Sequence, residues 1–395
     1  MNAIHFTNLR LPERPDQPAE LLVENGHFVS DFSQQVSPRL IDLGGNLVLP
    51  GLIETHIHLD KACIMDRCQL SEGTLEEAVA STSAAKAEFT EADVYRRGAR
   101  ILELAITQGT THMRTHVELD PGIGLTGFRA IQRLQQDYAW AIGLEICVFP
   151  QEGLFNNPGT EALLCEALES GATVLGGCPY MDSDPVGQIR RLFELARHYD
   201  CDLDLHLDFD LNPEGMTVPE VIRCTLESGW QNRVTIGHVT KLSALPPQEF
   251  RETALALAEA GVQVTALPST DLFLTGRGAT HNIPRGVAPL PRLHACGVTC
   301  SVSTNNVGNP FTPFGDASLI RQANLLAQCL AWVSAESAKM IRLPHYRLSS
   351  GCHADFLVVD ARAPADVIAE LGQPLMAFKA GRQTFERSPA TLLAP

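Results

Sequence analysis

Pro50-Gly51-Leu52-Ile53-Glu54-Thr55-His56-Ile57-His58-Leu59-Asp60 opens the long centre of this 395-residue chain. Pro-Gly stops what precedes it, and the apolar run behind it reads as a buried strand. Residues two apart in a strand point to one side, so His56 and His58 share a face. Two imidazoles on one face can chelate a single divalent cation. Outward from this first strand, at 52–58, seven further short apolar runs follow, at 111–116, 141–149, 173–176, 202–206, 234–238, 262–266 and 298–303. Helical periodicity lies between most of them, at 75–107, 126–137, 159–170, 187–199, 217–228 and 248–260. Strands alternating with helices imply parallel βαβ units, and eight of them predict a closed (β/α)8 TIM barrel over 51–345. Periodicity alone leaves a doubly wound open sheet as the alternative. No Gly-x-Gly-x-x-Gly or Walker pattern follows any strand, so nothing supports a nucleotide-binding fold.

Both chain ends read differently. Leu21-Leu22-Val23 is a strand candidate stopped by Asn25-Gly26, and Leu47-Val48-Leu49 runs into Pro50-Gly51. Near the other end, 355–360 reads as a buried strand and 377–383 as a hairpin. The two ends, 1–50 and 346–395, are therefore expected to build one small β-sandwich domain beside the barrel. Hydrophobic residues make up 45% and charged residues 19%, a balance that provides a large core and excludes a disordered chain. Lys+Arg is 30 against Asp+Glu 46, for a net charge of −16. Nucleic acids and anionic membranes need basic patches, so neither is an expected partner. The 11 cysteines are odd in number and form no C-x-x-C pair, which points to reduced thiols in a cytoplasmic protein. No basic and apolar leader is evident, and no run of about 18 apolar residues predicts a membrane span.

Among 13 histidines, position matters more than number. A lone histidine is more often structural than a ligand. Here His56 and His58 end the first strand candidate, His116 the second, His206 the fifth and His238 the sixth. In a barrel all strand C-termini meet at one mouth, where function resides. His56, His58 and His206 are the expected protein ligands of one divalent ion, zinc first, with iron or manganese as alternatives. A catalytic zinc takes three such ligands and keeps one position for water, which then ionises near neutral pH. Lys241, three past His238, is a candidate for binding an acidic or carbonyl group.

The same residues carry a family resemblance. The segment 50–60 resembles the metal-binding opening of the amidohydrolase superfamily, and more narrowly its cytosine deaminase branch, which includes N-isopropylammelide-type aminohydrolases. Arg114-Thr115-His116-Val117, Phe149-Pro150-Gln151-Glu152-Gly153, Asp204-Leu205-His206, the strand ending at His238, Thr275-Gly276-Arg277 and Pro310-Phe311-Thr312-Pro313-Phe314-Gly315 follow in that family's order, over about 40–385. The resemblance implies a metal-dependent hydrolase acting on a C–N bond of a small nitrogen heterocycle, and by analogy a homo-oligomer. It implies metal binding by His56, His58 and His206, and a hydrogen bond from His238 to the attacking water or the tetrahedral intermediate. It makes Gln151 the amide that holds a ring carbonyl or N–H, a job suited to a group that donates and accepts side by side. Asn306 is a further substrate-binding candidate.

Two positions depart from the family pattern. The family has a glutamate proton shuttle three residues after the fifth-strand histidine; this chain has Phe209. The family has a metal-binding aspartate at the end of strand eight; this chain has Asn305. Phenylalanine carries no proton, and asparagine is a poor base and a weak metal ligand through its carbonyl oxygen. Acid and base steps of this kind contribute about 10²–10⁴ each. Asp208 is the expected substitute shuttle, because in a regular strand it shares the side of His206. Asp60, Lys61, Glu118, Asp120, Asp210 and Asp316 are further candidates, each more often solvated or salt-bridged. Three imidazoles and an amide leave a dication's charge uncompensated, which favours bound hydroxide at neutral pH. Phe273, Phe311 and Phe314 are candidates for an aromatic wall, and Cys63 and Cys68 for reactive thiols. The expected function is hydrolysis of a heterocyclic C–N bond by metal-activated hydroxide, of deaminase or aminohydrolase type. The alternatives are a cyclic amide or other amide hydrolase, and a degenerate barrel that only binds a heterocycle.

Overall fold

Eight short runs of mostly aliphatic and β-branched residues, buried along most of their length, form one parallel sheet in the computed structural model of the chain, which describes residues 3–33, 37–326, 329–388 and 390. They are β1 (Leu52–Ile57), β2 (Thr110–Glu118), β3 (Gly143–Phe149), β4 (Val174–Gly177), β5 (Asp202–Leu207), β6 (Val234–His238), β7 (Val262–Ala266) and β8 (Cys300–Val302). Each pairs with the next in chain order. The sheet closes on itself. Ile57 bridges Asn305, His58 N donates to the Asn305 carbonyl at 2.8 Å, and Asn305 N donates to the His56 carbonyl at 2.9 Å. The expected barrel is therefore what the chain forms, and the open sheet is not. Closure also seats Asn305 beside the histidines of β1.

Local chemistry explains where elements stop. Gly51 lets β1 start hard against β2, since a Cβ there would sit 2.2 Å from Thr111 Oγ1. The single helical run read at 75–107 is two helices, α1 (Leu75–Lys86) and α2 (Glu91–Thr107). Thr90 breaks it by accepting a hydrogen bond from Asp93 N at its side chain, which starts α2 afresh. Inside the barrel, Thr55, Thr265, Ser301 and Ser303 exchange hydroxyl hydrogen bonds of 2.6 to 2.9 Å. These four hydroxyls satisfy one another under the mouth.

The chain ends build a second, mixed sheet of eight strands. Leu47–Pro50 pairs with Phe356–Asp360 and runs into β1 with Gly51 alone between them. Tight turns at Asn25-Gly26 and Ala380-Gly381 have positive φ at both residues, which suits hairpins. The sheet's two halves meet through the Arg10–Leu47 bridge and close over Phe6, Phe28, Phe356 and Phe378, as the expected small β unit requires. Lys379 ties it to the barrel, bonding His112 of β2 at 2.8 Å and Asp355 at 2.7 Å. Residues 1–2, 34–36, 389 and 391–395 of those ends, and 327–328 of the barrel range, lie outside the described residues. Among the described residues, no helix is long and apolar enough to cross a membrane.

Candidate active site

The barrel brings four strand-end histidines into one buried cluster. His56 lies in β1, His58 directly follows it, His116 lies in β2 and His206 in β5. Nε2 of His206 is 3.1 Å from Nε2 of His56 and 3.1 Å from Nε2 of His58. Nitrogens bound at about 2.0–2.1 Å to a tetrahedral ion lie about 3.3 Å apart, so this trio has the spacing of a cation site. Burial, with His116 alongside, holds His56 down to about 3. Burial, with Lys61 beside His58 and other imidazoles beside His206, pushes both well below the usual imidazole value. All three are neutral at pH 7, the form that ligates a metal. The trio fits a divalent ion.

Beneath it lies a buried carboxylate that the sequence showed only as part of a motif. Asp204 Oδ2 accepts from Arg114 Nη1 at 2.9 Å, and its Oδ1 lies 3.4 Å from His116 Nε2 and 3.7 Å from His56 Nδ1. Burial alone would raise its pKa; His116, His56 and Arg114 overcome that and hold it far below the carboxylate range. Strand alternation places it on the side of His206, so Asp204 was within reach of the sequence.

At the strand ends the backbone turns abruptly. Asp208, His238, Val239 and Asn305 all have positive φ, between 47° and 67°. This is rare for β-branched valine and marks a strained rim. His238 emerges with Nδ1 2.6 Å from Asp271 Oδ1, a fully buried carboxylate on the short helix Pro268–Leu274 that follows β7. Asp271 Oδ2 also accepts from Leu267 N at 3.2 Å. Burial pushes the Asp271 carboxyl up, opposed by His238. No motif singled Asp271 out, and only the fold brings it to His238. Nε2 of His238 faces the cavity, 3.5 Å from Asn305 Nδ2. Asn305 Nδ2 also donates to Thr270 Oγ1 at 3.0 Å, and its Oδ1 is buried without a hydrogen-bond partner. Phe209 packs edge-on against His238, with ring centroids 4.7 Å apart.

Two expected residues lie elsewhere. The turn at Asp208 breaks the strand alternation that would have aimed it at His206. Its carboxylate instead accepts from Thr217 N, Thr217 Oγ1 and Val218 N at 2.9 to 3.1 Å, at the start of the helix Val218–Ser228. Lys241 Nζ donates to the Glu214 carbonyl at 3.1 Å and pairs with Asp210 at 3.2 Å, outside the cavity lining. Lys61 takes the place at the cavity wall. It bonds Glu118 closely, donates to Gln151 Oε1 at 3.1 Å and lies 4.4 Å from the Phe311 ring centroid. Glu118 also pairs with Lys86, which bonds Asp120 and Glu152. Asp60 accepts from Glu118 N at 2.9 Å, and Asp316 pairs with Arg321.

These groups enclose a small cavity beside the histidine trio. Gln151, Lys61, Asn305 and Asn306 line it with His58, His206 and His238, and Leu75, Phe209, Leu274 and Phe311 make its apolar wall. Phe273 and Phe314 pack on each other at 6.0 Å, outside that lining. Cys63 and Cys68 are also outside it, and burial raises both thiols, which disfavours the reactive thiolate.

A closed (β/α)8 barrel whose mouth holds neutral, convergent imidazoles beside a small cavity defines the class: a hydrolase barrel of the metal-binding kind. The chain belongs to the amidohydrolase family, whose model matches residues 39–147 and 134–385. It is 23% identical over 364 residues to an N-isopropylammelide isopropyl amidohydrolase of Pseudomonas sp. (strain ADP), covering 87% of each chain. It is 26% identical over 382 residues to a pterin deaminase of Rhizobium rhizogenes, covering 92% of this chain and 87% of that one. A crystal structure of 5-methylcytosine deaminase from Klebsiella pneumoniae with 5-fluorocytosine superposes with a TM-score of 0.93 and 24% identity, over 99% of this chain and 100% of that one. The resemblance to the cytosine deaminase branch is borne out, and the enzyme is a hydrolase of non-peptide C–N bonds. The family binds a divalent metal, and this chain carries the histidine cluster for one.

Proposed function

We propose that this enzyme hydrolyses an exocyclic C–N bond of a small nitrogen heterocycle, with His56, His58 and His206 holding one divalent ion, zinc first. The observation that carries the reading is the meeting of three neutral imidazoles at 3.1 Å beside a small cavity lined by Gln151, Lys61 and His238. Asn305 Oδ1, buried without a partner, is a further protein atom available to the ion. When bound, the ion contributes Lewis-acid activation of water. Proton transfer then rests on His238. Asp271 at Nδ1 fixes the tautomer and leaves Nε2 facing the cavity, free to take a proton and return it to the departing nitrogen. Gln151 positions the ring, and Phe209 keeps water off the His238 side of the cavity. Asp208 is tied to the backbone of Thr217 and Val218, so it is not the shuttle in this reading.

Eleven cysteines without a disulfide among the described residues support a reducing, cytoplasmic location, and family likeness supports a homo-oligomer. The acidic charge argues against a nucleic-acid partner. The test is elemental analysis of the protein purified without added metal or chelator, followed by a screen of aminated heterocycles. About one equivalent of metal, lost in a His56→Ala/His58→Ala variant, supports the reading. No metal as purified and none on reconstitution overturns it.

A further inference from the structure

Seven of the barrel's seams are parallel ladders, each strand paired with the next in chain order. The eighth, between β8 and β1, is built differently. Among the described residues its strand pairing is the isolated Ile57–Asn305 bridge, and side chains supply the rest. Thr55 N donates to Ser303 Oγ at 3.1 Å. One residue further along, Glu54 reaches across the seam. Thr304 N donates to both of its carboxylate oxygens at 3.1 Å, and His56 N donates to Oε1 at 3.2 Å. Glu54 is 1% exposed, and no cation pairs with it among the described residues. A carboxylate buried this way is costly unless N–H groups hold it, so its place in the seam is specific.

The turn that Glu54 holds is the one that carries Asn305. Asn305 follows Thr304 directly and has a φ of 64°, in the left-handed region that asparagine tolerates. Beyond the turn the main-chain seam resumes, with Asn305 N on the His56 carbonyl and His58 N on the Asn305 carbonyl. Main chain thus ties Asn305 to both histidines of β1, and Glu54 ties down the residue before it. The Asn305 side chain is held by less: Nδ2 donates to Thr270 Oγ1 at 3.0 Å, and Oδ1 has no hydrogen-bond partner. An aspartate here would be drawn to a cation by its charge. A neutral amide is a weak ligand and depends on its surroundings to place it. Nothing in the chemistry described above uses Glu54.

We propose that Glu54 is a positioning residue for the cation site, holding the Thr304–Asn305 turn so that the Asn305 amide stays beside the histidine trio. The inference rests on His56, His58 and His206 taking a divalent ion, as read under Proposed function. It is tested by the zinc affinity of the full chain, stripped of metal and titrated in equilibrium competition with a chromophoric chelator. Glu54→Gln keeps the size of the side chain but sets an NH2 group against the seam's N–H donors. It should weaken zinc binding by about 10–100-fold, the usual cost of losing a group that orients a ligand. Glu54→Asp keeps the charge but is a methylene shorter, should weaken zinc in the same direction, and serves if the amide variant does not fold. Ser303→Ala loosens the same seam below the turn, and should lower the unfolding midpoint while leaving zinc affinity within about twofold. The deciding comparison is a double-mutant cycle. In an Asn305→Ala background, Glu54→Gln should change zinc affinity by no more than about twofold, because the group it positions is gone. Equal losses with and without the Asn305 amide overturn the proposal, as does a loss in Ser303→Ala that matches the one in Glu54→Gln. Unchanged affinity in Glu54→Gln or in Asn305→Ala also overturns it. In each of those cases the unaltered chain binds zinc and the hydrolase reading stands. An unaltered chain that takes up no zinc overturns the hydrolase reading, and this inference with it.

Discussion

At Asp271 a carboxylate without exposure meets His238 Nδ1 at 2.6 Å, while the strand-eight position holds only the amide of Asn305. The buried negative charge near the reacting centre thus acts through an imidazole. Asp271→Asn should lower kcat by about 10²–10⁴ and leave metal content and KM nearly unchanged. Steady-state kinetics with elemental analysis check this, and a parallel loss of metal would show that Asp271 only supports the cluster. Phe209 lies 4.7 Å from the His238 ring, so Phe209→Glu puts a carboxylate within the cavity wall. Combined with Asn305→Asp it should raise deamination of an aminoheterocycle by about 10², read as ammonia release. No change would mean that neither position limits the chemistry.

The strand ends decide more than the strands. Alternation paired His56 with His58, and the structure brings both to His206. It failed at Asp208, where positive φ swings the side chain out of the pleat to meet a helix start. Asp208→Ala should then cost about 1–2 kcal/mol of stability, by loss of bonds to Thr217 and Val218, with metal content unchanged. Urea unfolding measures it, and loss of metal with unchanged stability would return Asp208 to the site. Lys241 was misplaced for a related reason: it sits in a short helical turn after strained Val239, which aims it at Glu214.

Across the whole molecule, buried charge couples stability to pH. Burial alone would raise Glu118; Lys61 and Lys86 overcome it and hold it well below the usual carboxylate range. A depressed carboxylate stabilises the fold above its unfolded pKa and loses that contribution as pH falls through its folded one. Thermal stability should therefore fall as pH drops below the ordinary glutamate value of about 4.5, and Glu118→Gln should flatten that fall; an unchanged profile would sink the assignment. Strand and helix order and the strand-end histidines could be read from the chain, because periodicity and turn residues are local signals, while the departures at 209 and 305 were legible only against the family resemblance. The Asp271–His238 pair and the Lys61–Glu118–Lys86 network could not. His238 and Asp271 are 33 positions apart, and Lys61 and Gln151 are 90 apart. The geometry of such contacts exists only once the barrel has closed and strained rim residues have set where each side chain points.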